Sequence, residues 1–493
     1  MTNAASLTSA EVRRRLDHPV IDADGHLVEC PPVLIDFLKQ VGGQRMADRW
    51  VQRMRDGAWG EWTKLSPAER KDRGIIRHPF WNVTSNAKDR ATAMLPSLLR
   101  ERLDEFGIDF QVLYPSVGIP FISGSIDPEL RQVMCRALNT MYAELFRDHR
   151  DRFAPAATIP THTPQEALAE IDYAIGKLGL KAAMIAGTVQ RPLKAVAKAM
   201  PEYAAHAYWV DPLALDGEYD YDPVWQRFLD VGVVPATHNN GTGWGTRRST
   251  TNYVYNHVGH FAASAEGFAK ALVLGGVTKR FPTLKFGLLE GGVGWAASLY
   301  NDLCEHFEKR SVPALRANLN PFAVDFAAVR RYVEKYGSEH FRRHAATIEQ
   351  GWDSALQTPN GHEPEPSDDF GASGVRRTRD LAKIFSENFY VGCEADDRMT
   401  AVAFNDRLHH HGIKLRAMLG SDIGHWDVTD MTHVIAEAWG LVEDELLSAE
   451  DFRAFVCGNV AQLHGGMNRD FFKGTVVENA AATILAAPRQ AVA

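Results

Sequence analysis

The chain has 493 residues, of which 45% are hydrophobic and 24% are charged, the composition of a globular protein with a large core. Its net charge of −8 offers no field that would attract phosphate backbones or anionic lipids, so we expect neither a nucleic-acid partner nor a membrane partner. No apolar run approaches the roughly 20 residues that span a bilayer. Five scattered cysteines without a CxxC pair indicate reduced thiols, and the first residues lack an apolar signal core, so we expect a cytoplasmic protein.

Eight short apolar segments recur along the chain, with helical segments between them. Because strands that alternate with helices are typical of parallel sheets, this order predicts an α/β fold, a (β/α)8 TIM barrel. Polar residues just after these strands are then the candidate catalytic residues, since active sites of such barrels lie at the carboxyl ends of the strands. The predicted strands cover residues 20–24, 110–114, 153–159, 180–185, 233–237, 285–289, 389–392 and 415–419.

The chain is predicted to form a single barrel domain over residues 1–493, with segments inserted between its helices and strands. Residues 94–106 illustrate the helical spacing, because apolar side chains form one stripe and Gly107 follows as a stop. Three stretches exceed a minimal barrel, at about residues 42–88, 200–222 and 312–380. The proline-rich, acidic part of the third stretch predicts a mobile loop or lid.

Four potential metal ligands follow the ends of the first, fifth and eighth predicted strands. Asp24 and His26 alternate along the first strand and therefore point to the same face. His238 follows the fifth strand and Asp422 follows the eighth. Alone, each residue is more often a helix cap or a packed side chain. Together, two imidazoles and two carboxylates predict a site for a divalent metal ion that also leaves room for water or substrate.

Several stretches resemble the amidohydrolase-related branch of the metal-dependent amidohydrolase superfamily. This branch includes aminocarboxymuconate-semialdehyde decarboxylase and resorcylate decarboxylase. The most distinctive of these stretches is the Gly-Val-x-x-Arg-Phe-Pro-x-Leu-Lys run before the sixth strand. The matching stretches are residues 21–26, 236–238, 275–285 and 419–422.

The resemblance implies that Asp24, His26 and His238 bind one divalent metal ion, most simply Zn²⁺ or Mn²⁺. It implies that Asp422 is a ligand, an acid/base, or both. Asp24 stands where many relatives have the first His of a His-x-His pair, and this change favours a harder ion. A homodimer is also compatible with the resemblance.

The sixth strand departs from the resemblance, because Glu290 stands where many relatives have a catalytic His. Glu290 could bind substrate, orient another side chain or act as a base, or it could be a structural acid. His257 and His260 are candidates to take the place of the missing His. In the loop after His238, candidate substrate-binding residues are Asn240, Trp244 and Arg247, although ordinary loop packing explains any one of them equally well.

The sequence leaves three functions open. The resemblance implies a metal-dependent carbon–carbon lyase that decarboxylates a small aromatic or unsaturated carboxylate. The same ligands would serve a metal-dependent hydrolase of an amide, lactone or ester, in which bound water attacks a carbonyl. The third possibility is a non-catalytic barrel that binds a small molecule, which retention of all four candidate ligands makes the least favoured of the three.

Overall fold

Eight parallel strands form a nearly closed barrel in the computed structural model, which describes residues 7–56, 58–79, 84–124, 127–201, 207–238, 240–351 and 368–487. Each barrel strand pairs in parallel with the next along the chain. The predicted (β/α)8 fold is confirmed. The barrel strands are β1 (Ile21–Leu27), β2 (Phe110–Pro115), β3 (Phe153–Thr158), β4 (Ala182–Ile185), β7 (Pro235–Thr237), β8 (Phe286–Leu288), β9 (Phe389–Glu394) and β10 (Arg416–Gly420).

Two further strands, β5 (Val189–Pro192) and β6 (Tyr208–Asp211), form an antiparallel ribbon after β4. Sequence patterns do not predict this ribbon, because Gln190 and Pro192 interrupt its first strand and neither strand exceeds four residues. A buried ion pair between Arg191 and Asp211 joins the two strands, with 2.9 Å between Nε and Oδ2.

Helices surround the barrel and fill the inserted segments. They are α1 (Ser9–Arg15), α2 (Pro31–Asp56), α3 (Ala58–Lys64), α4 (Pro67–Arg73), α5 (Ala87–Thr92), α6 (Pro96–Phe106), α7 (Ile119–Ser123), α8 (Pro128–Leu145), α9 (Pro164–Ile171), α10 (Lys194–Ala199), α11 (Asp222–Val231), α12 (Tyr253–His257), α13 (His260–Leu274), α14 (Val277–Arg280), α15 (Gly294–Arg310), α16 (Val312–Asn318), α17 (Phe326–Tyr336), α18 (Glu339–Arg342), α19 (Thr378–Glu387), α20 (Thr400–Phe404), α21 (Val434–Glu443), α22 (Ala449–Arg453), α23 (Asn459–Met467) and α24 (Glu478–Ala486).

Helix α6 shows how the apolar stripe positions a barrel helix. Leu99, Leu103 and Phe106 are fully buried, one helical turn apart, as the spacing predicts. Gly107 ends the helix with a φ of 72°, a left-handed conformation that glycine adopts without strain. This places the chain for the start of β2 three residues later.

The first and third inserted segments are mostly helical where the structure describes them, whereas the second holds strand β6. The first contains α3 and α4, and the third contains α16 to α18. The predicted lid falls mainly on residues 352–367, which lie outside the described residues. All five cysteines are free thiols. Among the helices of the described ranges, none is long and apolar enough to cross a membrane.

A buried carboxylate closes the barrel where its first and last strands meet. Asp22 on β1 accepts hydrogen bonds from the Ser421 amide at 2.9 Å, from the Ser421 hydroxyl, and from the Gln111 amide nitrogen on β2 at 2.6 Å. Asp22 itself is fully buried. Three strands are therefore joined through one side chain, directly beneath the residues that follow β10.

We expect Asp22→Ala to lower the free energy of unfolding by about 3 kcal/mol, because the buried amides of Gln111 and Ser421 lose their acceptor. Urea denaturation measures the change. The matched control is Asp104→Ala, since the Asp104 side chain is 87% exposed in its ion pair with Arg152, and it should cost no more than about 0.5 kcal/mol. Equal urea midpoints for Asp22→Ala and the wild type would contradict this role of Asp22.

Candidate metal centre

Strand β1 brings Asp24 and His26 to one side, as its alternation predicts. His26 Nε2 lies 3.4 Å from Asp24 Oδ1, and both side chains are buried. Gly25 separates them because a Cβ atom there would lie 2.0 Å from Nε2 of Gln111. The absence of a side chain at Gly25 thus lets Gln111 reach Asp22 beneath the site.

Three other strands deliver the remaining charged side chains. His238, which follows β7, places its Nε2 3.1 Å from Nε2 of His26 and 2.7 Å from Oε2 of Glu290. Asp422, which follows β10, places Oδ1 3.4 Å from Nε2 of His26. Glu290 and Asp422 have side chains that are only 5% exposed. Residues distant in sequence therefore converge at the carboxyl end of the barrel.

The ligand atoms are close enough for one ion to contact several of them. Atoms of Asp24, His26, His238 and Glu290 lie within 4.8 Å of one another, and an overlapping group combines His26 and Glu290 with Asp422 and His425. Asp24 Oδ1 and Asp422 Oδ2 are buried and have no hydrogen-bond partner among the described residues. Buried carboxylate oxygens without donors need a cation, so these residues fit a divalent ion.

The electrostatics of this cluster also suit a cation. Burial lowers the pKa of His26 well below its ordinary value, and His425 and His238 add to this effect, so the imidazole is neutral and can bind metal. Burial raises the pKa of Asp24, and Glu290 raises it further, while His238 opposes the rise. Burial and then Glu290 likewise raise the pKa of Asp422. Without a positive ion, the crowded carboxyl groups resist ionisation.

Two of the acidic residues adopt a backbone conformation that is unusual for residues with side chains. Glu290 has a φ of 56° and Asp422 a φ of 51°, both in the left-handed region. Such conformations carry strain and are concentrated at functional sites. Here they turn the two side chains towards the cluster at the points where β8 and β10 end.

His425 extends the cluster towards β2. Its Nδ1 lies 2.6 Å from Oδ1 of Asp422, and its Nε2 lies 2.9 Å from Oγ of Ser116. The His425 ring stacks on His26 with 3.8 Å between centroids. A chain of close polar contacts therefore runs from Ser116 through His425 to Asp422.

A cavity of about 530 Å³ opens beside these residues. Glu290 lines both the cavity and the metal cluster, while His257, His260 and Trp426 contribute rings to the cavity wall. Its volume suits a small organic molecule. The arrangement therefore places a substrate-sized space against a cluster of metal-ligating side chains.

A sequence profile of the amidohydrolase family matches residues 21–361. The chain belongs to the amidohydrolase family. It is an enzyme of the amidohydrolase superfamily, and the matched range holds six of the eight barrel strands and ends before β9 and β10.

Within the matched range lie β1 to β8, six of which are barrel strands, so the profile accounts for the strands that carry Asp24, His26, His238 and Glu290. Asp422 lies beyond that range, and its place in the cluster rests on the geometry described above.

Solved structures resemble this amidohydrolase over nearly its whole length. An amidohydrolase from Mycobacterium avium subsp. paratuberculosis K-10 has 15% sequence identity and a TM-score of 0.52, covering 91% of this chain and 100% of its own. This likeness shows a shared fold. A 2,6-dihydroxybenzoate decarboxylase complexed with 2,6-dihydroxybenzoate has 14% identity, a TM-score of 0.48, and coverage of 91% and 99%. A dihydroxybenzoic acid decarboxylase from Polaromonas sp. JS666, with bound manganese and the inhibitor 2-nitroresorcinol, has 16% identity, a TM-score of 0.47, and coverage of 91% and 97%.

The predicted substrate-binding residues divide into two groups by position. His260, like the predicted catalytic residue His257, lines the cavity. Asn240, Trp244 and Arg247 are not among its lining residues in the described part of the chain. Asn240 accepts a hydrogen bond from the Thr242 amide within its own loop, and Arg247 donates to the Gly259 carbonyl. A role for these three in substrate binding stays a prediction.

Two residues near the cluster did not enter the predicted site. His425 follows Asp422 by three residues in a loop, and sequence spacing alone did not reveal its contacts with Asp422 and Ser116. Glu394 ends β9 and lines the cavity. Asp24 and His238 were predicted because they are ionisable residues at the ends of barrel strands, and the same criterion also selects Glu394.

We expect His238→Ala to weaken Mn²⁺ binding roughly 100-fold, because it removes an imidazole whose Nε2 faces His26 and Glu290. Calorimetric titration of chelator-treated protein measures the affinity. The matched control is His306→Ala, an exposed helical residue that should leave binding unchanged. Wild-type affinity in His238→Ala would remove His238 from the metal site.

Metal uptake near neutral pH should release protons from carboxyl groups. Burial raises the pKa of Asp24 and Glu290 in the ion-free protein, so these groups retain protons to a higher pH than ordinary acids. His26 is already neutral there, since burial lowers its pKa. Bound cation favours the ionised carboxylates, and binding must therefore weaken as pH falls. Titrations in buffers of different ionisation enthalpy count the protons, and zero release would contradict the raised carboxyl pKa values.

Proposed function

We propose that this amidohydrolase is a metal-dependent carbon–carbon lyase that decarboxylates a small aromatic or unsaturated carboxylate without oxidation. The observation that carries the proposal is the convergence of Asp24, His26, His238 and Asp422 beside a substrate-sized cavity. Zn²⁺ and Mn²⁺ both suit this ligand set, and its carboxylate content favours Mn²⁺.

The chain's own residues supply binding and proton transfer. A bound divalent ion would supply positive charge for the substrate's carboxylate or an adjacent oxygen. Asp24, His26 and His238 would hold that charge next to Glu290, which lines the cavity. Asp422, with Oδ2 free of hydrogen bonds among the described residues, is available to deliver a proton to the carbon that loses CO₂.

A chain of close polar contacts behind Asp422 supports repeated proton delivery. Burial lowers the pKa of His425 to about 4, so its ring is neutral near pH 7 and must take up a proton at Nε2, on the Ser116 side, as it returns one from Nδ1 to Asp422, 2.6 Å away. Ser116 Oγ lies 2.9 Å from the other ring nitrogen and holds the ring in place. This arrangement supports an acid that is reloaded from the side opposite the substrate.

Hydrolysis of an amide, lactone or ester remains the alternative, because it uses the same ligands, with Asp422 as proton acceptor instead of donor. A non-catalytic binding barrel would need neither the buried ligand cluster nor the proton chain. Product mass separates these functions: decarboxylation removes the mass of CO₂ from the substrate, and hydrolysis adds the mass of water.

A screen of aromatic and unsaturated carboxylates with Mn²⁺-loaded protein should find a substrate that loses CO₂. In D₂O the product should carry one deuterium at the carbon that bore the carboxylate. Asp422→Asn should lower kcat by roughly 100- to 10,000-fold, the range for a removed general acid. The metal content is measured for each variant, so that loss of the ion is distinguished from loss of the acid.

Glu443→Gln, a change on the surface helix α21, is the control and should keep wild-type kcat. The proposal fails if the screen yields only water addition, or if metal-loaded Asp422→Asn turns over at the wild-type rate.

A further inference from the structure

The cavity beside the metal cluster is lined by many more carboxyl groups than basic side chains. Besides Glu290, it is lined by the carboxylates Glu394, Asp396, Asp397 and Asp427. Arg398 is the single Lys or Arg among its described lining residues. That guanidinium is 64% exposed and already forms an ion pair with Asp444. The cavity therefore lacks internal counter-charge.

The histidines of the cavity wall do not supply the missing charge. Burial lowers the pKa of His260 to about 3, and His257 and His238 add to that effect. Burial also lowers the pKa of His257, although Asp427 opposes the change. Both rings are thus neutral near pH 7 and present aromatic surface rather than charge.

One carboxyl oxygen of this acidic group has no donor. Oδ1 of Asp427 is buried and has no hydrogen-bond partner among the described residues. Burial, followed by the charges of Glu290 and Asp427, raises the pKa of Glu394 to about 8. A cation near Glu394 would favour its ionised form.

Aromatic rings stand on the same cavity wall. His257 and Trp426 both line the cavity, with their ring centroids 5.7 Å apart. Carboxylates together with aromatic faces suit an organic ammonium group, which gains from both the charge and the ring quadrupole. A bare metal ion would gain nothing from the rings.

We propose that this cavity binds an alkylammonium group, so that the substrate is an amino-substituted carboxylate with its cationic end beside Glu394 and Asp427. The assignment of the carboxylate end rests on the proposed function, whereas the ammonium site rests on the cavity alone. The substrate then lies with its negative end at the metal cluster and its positive end among the acids.

Binding of matched probes tests this site without turnover. The probes are 4-(aminomethyl)benzoate, 4-(hydroxymethyl)benzoate and terephthalate, titrated calorimetrically into Mn²⁺-loaded protein. They share the ring and one carboxylate and differ in the charge of the other substituent. The aminomethyl probe should bind at least about tenfold more tightly than the hydroxymethyl probe, and terephthalate should bind most weakly.

The preference should fall below about threefold in Glu394→Gln. Asp396→Asn, a change at an exposed residue, gives a second test if Glu394→Gln does not fold, and it should reduce the preference in the same direction. Asp104→Asn is the control, because Asp104 is exposed on α6 and does not line the cavity; it should retain the full preference.

Two results would overturn the proposed ammonium site. The first is equal affinity for the three probes. The second is a second equivalent of Mn²⁺ that binds with Glu394 and displaces benzylamine, a further probe without a carboxylate. The proposed function fails separately. If benzylamine binding depends on Glu394 but no carboxylate loses CO₂, the ammonium site stands and the lyase proposal is wrong. If CO₂ is lost while the probes bind equally, the lyase proposal stands and the ammonium site is wrong.

Discussion

The contact between the first and last strands of the barrel is the constraint on which the site depends. Asp22 joins β1 to Ser421 and to Gln111 on β2, and the backbone of Asp422 donates a hydrogen bond to the Asp24 carbonyl at 2.9 Å. Residues nearly 400 positions apart are thereby held in register. Because Asp24 lies two residues after Asp22, this contact also sets where its carboxylate meets that of Asp422.

The contact between the first and last strands brings carboxylates close together despite the repulsion between their negative charges. Asp24, Glu290 and Asp422 are buried in one cluster, and burial raises the pKa of each. The left-handed backbone of Glu290 and Asp422 adds local strain. A divalent cation offsets this repulsion, so binding of the ion stabilises the folded protein before any substrate binds. The carboxyl groups of the cavity favour a positively charged group on the substrate for the same reason.

Sequence patterns predicted the barrel because its strands are short apolar runs, and they predicted Asp24, His26, His238 and Asp422 because each follows or ends such a run. The positions of side chains in loops depend on tertiary contacts instead. The contacts of His425 were therefore not predicted, although its ring stacks on His26. No local sequence pattern predicted the left-handed backbone at Glu290. The ribbon of β5 and β6 was not predicted either, because its strands are short and interrupted.

One divalent ion should be held where the first, fifth and last barrel strands converge. Anomalous diffraction at the manganese edge, from crystals grown with Mn²⁺, tests whether it is. We expect a single strong peak within about 2.5 Å of His26 Nε2, His238 Nε2 and a carboxylate oxygen of Asp24 or Asp422. A crystal with no peak in this cluster, or with its strongest peak beside Glu394 and Asp396 in the cavity, would show that the ion is not held there.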